Sequence, residues 1–200
     1  MEFDKITRSW NKISAKMKSQ SHGTKNWIFS IVIMVLGLFV SFFIKDWRLA
    51  TIFFLLWLDR MILGRASILG QFGLELTSMA VILTGLAYGP YFAAAYHFVA
   101  STLMVGLGWI ITKSSEPNWP PFVPGPDQIV DALAAAIAGF LRFLPIVSAI
   151  VVASIAKFII QMLKDKFVSY DKPPEVGRIL NIFLNFAIAY ELQGYLTRLV

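Results

Sequence analysis

Two stretches of this chain, 27–44 and 91–112, run for eighteen and twenty-two residues without a Lys, Arg, Asp or Glu. Crossing ~30 Å of hydrocarbon takes about 20 residues at 1.5 Å each, so runs of this kind read as membrane-spanning helices. A helix satisfies its own backbone groups where no water can. The chain is therefore expected to be all-α, a polytopic bundle of transmembrane helices. The charge supply agrees: 15% of the 200 residues are charged and 57% are hydrophobic, where a soluble domain carries about 25% charged residues. That balance excludes a disordered chain and a disulfide scaffold. Cysteine is absent, which removes disulfides, thiolate metal sites and cysteine nucleophiles. With only His22 and His97 as imidazoles, no metal centre is expected.

The remaining spans follow from breaks. After 27–44, the cluster Lys45-Asp46-Trp47-Arg48 makes an interfacial turn, and a short apolar run covers 49–63. A third span, 66–88, stops at Gly89-Pro90, because proline cannot continue the hydrogen-bond ladder. A fourth, 91–112, starts at once, so these two form a helical hairpin. Residues 113–127 hold five prolines, Pro117, Pro120, Pro121, Pro124 and Pro126, and are expected to be a stiff extended loop. The run 127–163 would be about 55 Å long as one helix, too long for one crossing. Pro145 suits the first turn of a new helix, which splits the run into 128–143 and 145–163. A polar segment with Pro173-Pro174 precedes the last span, 179–199.

Seven crossings result, with six as the runner-up. With the N-terminus in the cytoplasm, thirteen basic residues fall inside and four outside, as the positive-inside rule requires. The expected location is a prokaryotic cell membrane. Six of the eighteen basic residues precede residue 26. There Phe3, Ile6, Trp10, Ile13 and Met17 alternate with Lys5, Arg8, Lys12 and Lys16 at helical spacing. Residues 1–26 thus read as a basic amphipathic helix lying in the headgroup layer, and 27–200 as the transmembrane domain. Basic residues beside a span set orientation and touch anionic lipid, so nucleic acid is not an expected partner. The first span reads as a retained anchor, since the basic region before it is long and no small-residue cleavage pattern follows.

Polar groups inside spans are costly and mark functional candidates. Glu75 is expected near the middle of the third span, as a ligand or ion contact or as a buried helix contact. His97 would lie about 10 Å from it in depth across the hairpin, and reads as a packed helix residue. Asn181 and Asn185, four apart, share a face of the last helix, where they bind a polar ligand or join helices. Tyr88, Tyr91 and Trp119, at span ends and in the proline loop, anchor the interface or cover a pocket. If 127–163 folds back near residue 144, Asp131 comes level with Lys157, and an ion pair between them is expected. Small residues at 93–95, 100, 132, 134–136, 138 and 139 let helices approach closely. No phosphate loop, His-Glu-x-x-His or Gly-x-Ser-x-Gly motif is present, so neither an enzyme nor a cofactor is expected.

The stretch from Glu75 to Ala94 resembles the helix hairpin of energy-coupling factor transporter S components, with Gly85, Gly89 and Pro90 carrying the match as Gly-x-x-x-Gly-Pro. The rod-shape membrane protein family is distantly similar in architecture. The matched stretch is twenty residues long. It implies a small membrane subunit that captures a vitamin-like solute and depends on partner ATPases. The chain departs from the family in two ways. The alanine pair that docks those proteins on their coupling subunit is missing from the first helix, and the charge count puts Gly89-Pro90 outside. Two functions are therefore expected as alternatives. One is a solute-binding membrane subunit without ATPase activity, with lipid, other integral subunits and a small molecule as partners. The other is a non-catalytic accessory subunit of a larger membrane complex.

Overall fold

The computed structural model describes residues 23–61, 75–112, 120, 122–167 and 175–200. The amphipathic segment at the N-terminus lies outside them, apart from its last four residues, and so do Trp119 and the sequence between the second and third helices. The described residues form eight helices and no strands. These are α1 (Gly23–Phe43), α2 (Trp47–Met61), α3 (Leu76–Tyr88), α4 (Pro90–Thr112), α5 (Pro126–Phe140), α6 (Ile146–Phe167), α7 (Glu175–Glu191) and α8 (Gln193–Leu199). Two of them, α4 over Pro90–Gly108 and α6 over Ile146–Phe167, are long and apolar enough to cross a membrane by length and composition.

Contacts between helices show that α1 to α7 alternate in direction. Trp57 of α2 donates to the Ser30 hydroxyl of α1 at 3.0 Å. Tyr88, at the end of α3, donates to Asp46 at the start of α2. His97 of α4 meets Thr84 of α3, Lys157 of α6 meets Asp131 of α5, and Arg178 of α7 meets Asp165 of α6. The fold-back expected within 127–163 is present: α5 ends at Phe140 and α6 begins at Ile146, directly after Pro145.

α3 is the axis of the bundle. Every residue from Thr77 to Ala87 is buried, which is the pattern of a helix apolar all round. Its close neighbour is α5. A β-carbon added at Gly85 would stand 2.3 Å from the Ala135 carbonyl oxygen, and one at Gly139 would stand 2.4 Å from the Pro90 nitrogen. Ala93, Ala134, Ala135 and Ala138 are buried in the same contact. Of the small residues noted in the sequence, these serve packing within this chain, whereas Ala95 is exposed. Gly89 has φ +86 and its N–H bonds the Gly85 carbonyl at 2.9 Å, a conformation open to glycine and costly for other residues. Pro90 then begins α4 at the position where a missing N–H costs nothing.

Three boundaries differ from expectation. Pro126 lies in α5 as its first residue, although the proline-rich stretch was expected to be loop throughout; its fixed φ suits a first turn, and Gln128 accepts the Gly125 N–H at 2.8 Å. The last span starts at Glu175 and breaks at Leu192, because α8 turns to bury Leu196 and Leu199 in the cluster that holds Ile52 and Leu56. α1 is already helical at Gly23, the first described residue, inside the segment assigned to the amphipathic helix.

Candidate functional site

The helices bring charge to one level of the bundle interior. Asp131, on the first turns of α5, faces Lys157, midway along α6, at 3.0 Å. Their side chains are 5% and 3% exposed, so the ion pair expected from the fold-back forms and is buried. Arg60, in the last turn of α2, reaches the other oxygen of Asp131 at 3.5 Å. Glu75, at the start of α3, lies 3.7 Å from Lys157. The four charges make a chain, Arg60–Asp131–Lys157–Glu75, alternating in sign across four helices.

Neutral groups brace it. Lys157 donates to the Ser78 hydroxyl at 2.9 Å, and Ser78 donates to Glu75 at 3.1 Å. Asn181 donates to the Glu75 carbonyl oxygen at 3.3 Å, and Asn185 donates to Asn181 at 3.1 Å and to Ser154 at 3.1 Å. The two asparagines share one helix face, as their spacing requires, and join α7 to α3 and α6.

Asp59 is a fifth charge at this level. Its carboxylate accepts the Leu76 N–H at 3.0 Å and also the Thr77 hydroxyl. An anion at a helix N-terminus meets unpaired N–H groups and the positive end of the dipole. That contact explains why α3 begins at Leu76. It also corrects the placement of Glu75, which is the N-cap residue in extended conformation (φ −126, ψ 97) and not a mid-helix group. Its side chain is 35% exposed.

The other candidates lie elsewhere. His97 is fully buried, its Nε2 2.8 Å from the Thr84 hydroxyl. Thr84 gives its proton to the Ala80 carbonyl at 2.7 Å, so Nε2 is the donor in the His97 contact. Tyr88 sits at the opposite end of α3, bonded to Asp46 at 2.6 Å. Tyr91, 84% exposed, touches only the ring edge of Phe140 among the described aromatic contacts. Neither tyrosine joins the charged chain. Trp119 falls outside the described residues.

Reading the sequence alone misses Asp59, Arg60, Ser78 and Ser154 as parts of this site. The available signal was Asp59-Arg60, a charge pair one turn from the end of an otherwise apolar run, with Thr77-Ser78 directly after Glu75. A second layer of charge sits at the same end of the bundle. Lys164 bridges Asp127 at 2.6 Å and Asp165 at 3.0 Å, and Arg178 pairs with Asp165. No group of three potential metal ligands occurs among the described residues. Comparisons with protein-family models, with curated proteins and with solved structures find no match to this chain.

Proposed function

We propose that this chain is an integral membrane protein of seven crossings, α1 to α7, that binds a small polar solute at its charged interior without catalysing a reaction. The observation that carries this reading is the inverted distribution of polarity. Large apolar side chains such as Phe29, Val35, Phe39, Val99, Leu103, Ile159 and Phe183 stand outside, while Asp59, Asp131 and Lys157 are buried. Soluble monomers rarely expose such apolar surface. Ionised groups buried in a membrane bundle are expensive and mark ligand or ion paths. The absence of a phosphate-binding motif assigns any energy supply to a partner subunit, in keeping with the resemblance to transporter solute-binding components.

The test has two parts. The chain expressed in bacteria should sediment with membranes and resist extraction by alkaline carbonate; release into the supernatant overturns the membrane reading. The purified chain should show saturable binding of a small polar solute that is weakened in Glu75→Gln. A second reading, an accessory subunit of a larger membrane complex, draws on α1. Ile28, Phe29, Ile31, Val32, Val35 and Leu36 all remain uncovered there. Co-purification of a stoichiometric membrane partner without any solute binding would favour it.

A further inference from the structure

The charged chain has a tight centre and loose ends. The central pair stands at 3.0 Å, within hydrogen-bond range. The two outer contacts, at 3.5 Å for Arg60–Asp131 and 3.7 Å for Glu75–Lys157, are beyond it. Exposure follows the same order: the central side chains are 5% and 3% exposed, the terminal ones 28% and 35%. Arg60 Nε and Asp131 Oδ2 are both buried without a hydrogen-bond partner, so this outer contact is an ion pair and not a hydrogen bond. Arg60 and Glu75 also lie beside each other, because their sequence neighbours Asp59 and Leu76 are hydrogen-bonded at 3.0 Å. Arg60 and Glu75, each held by one loose ion pair to the centre, thus stand at one end of adjacent helices, beside a tighter buried pair.

From this juxtaposition we propose that the solute is a small zwitterion, its carboxylate held by Arg60 and its ammonium by Glu75. The inference rests on the solute-binding reading above and names its substrate class. The planar guanidinium fork matches a carboxylate with two parallel hydrogen bonds. Glu75 takes Ser78 on Oε2, while its Oε1, 3.7 Å from Lys157, lies beyond hydrogen-bond range of it and can accept from an ammonium donor. Charge balance selects against simpler ligands. The chain carries two cations and two carboxylates, and Asp59 is compensated by the α3 N-terminus that it caps. A lone anion or a lone cation would leave a net charge at a poorly solvated level, which is costly. A zwitterion adds none, and Lys157 keeps Asp131 throughout.

The experiment measures equilibrium binding to the purified full chain in detergent, after carbonate extraction has been read on the same preparation. The probes are alanine with its two halves, propionate and ethylamine, and leucine with isocaproate and isoamylamine. At least one zwitterion should bind at least tenfold tighter than either of its halves. Arg60→Gln should reduce that zwitterion to the level of its amine, and Glu75→Gln should reduce it to the level of its acid. Arg60→Lys keeps the charge and loses the fork, so it should retain part of the preference; this arm stands in if Arg60→Gln fails to fold. Zwitterions binding no tighter than their halves, or variants that keep the full preference, overturn the proposal. A chain that sediments with membranes and ignores all six probes overturns it too, and leaves the membrane reading standing. A chain released by carbonate overturns the membrane reading instead.

Discussion

Lys157 and Asp131 are the residues whose removal should be felt most. Each is nearly inaccessible and each neutralises the other. Losing one partner leaves the other buried with only its looser contact, Arg60 for Asp131 or Glu75 for Lys157, at a cost approaching about 3–5 kcal/mol. Lys157→Met alone and Asp131→Leu alone should therefore lower the thermal midpoint of the purified chain steeply. The double variant should recover most of the loss, because a buried pair replaced by apolar residues is often neutral. Thermal unfolding of the three variants checks this, and a double variant as unstable as the singles would contradict it. Thr84→Val is a smaller probe. It removes the acceptor for the fully buried His97 and should cost about 1–3 kcal/mol by the same measurement. The Asp131–Lys157 pair was legible because both residues lie in one run with one fold-back, where depth follows from counting. Arg60 was not. Its reach to Asp131 depends on how α2 packs beside α5, and no spacing within a single run encodes that. Glu75 was legible as a costly charge but misplaced, since the apolar run 66–88 looks continuous and the group that starts α3, Asp59, belongs to another helix.

Backbone approach explains the motif that looked most specific in the sequence. Gly85 faces the Ala135 carbonyl, Gly139 faces Pro90, and Gly89 makes the turn. Gly-x-x-x-Gly-Pro is thus accounted for by α3 and α4 closing on α5. Gly85→Val should be severely destabilising. The nearest obstacle is backbone oxygen at 2.3 Å, which cannot rotate away, so the cost should reach about 3 kcal/mol or more. Gly194→Ala is the contrasting case. Nothing lies within 4 Å of its added carbon, and it sits within α8. It should be neutral or stabilising by about 0.5–1 kcal/mol. Thermal midpoints of the two variants test the contrast; equal losses would contradict the packing account. Helix breaks made by proline were readable in advance, at Gly89-Pro90 and at Pro145. The break at Leu192 was not, because it depends on burial of Leu196 and Leu199 in the cluster that also holds Ile52 and Leu56, residues from distant parts of the chain.

The whole molecule sets an apolar exterior around a largely apolar core that holds one charged level, with helices alternating in direction. Charge outside the core gathers towards the two ends: Lys45, Asp46, Arg48 and Arg142 at one, and Asp127, Lys164, Asp165 and Arg178 at the other. The second end carries the excess of basic residues in the sequence, and under the membrane reading proposed above it is the end that faces the cytoplasm. The all-α class was legible from composition and run length; the charged level inside the core was not, because alternating charges on four helices meet only when the bundle closes. The absence of cysteine allows single reporters without background. Phe143 and Phe167, 80% and 78% exposed, flank the two ends of α6. In intact cells an impermeant maleimide should label Phe143→Cys, and should label Phe167→Cys only after the membrane is opened. Labelling of both from the same side, or recovery of both in the soluble fraction, would contradict a chain that crosses the membrane along α6.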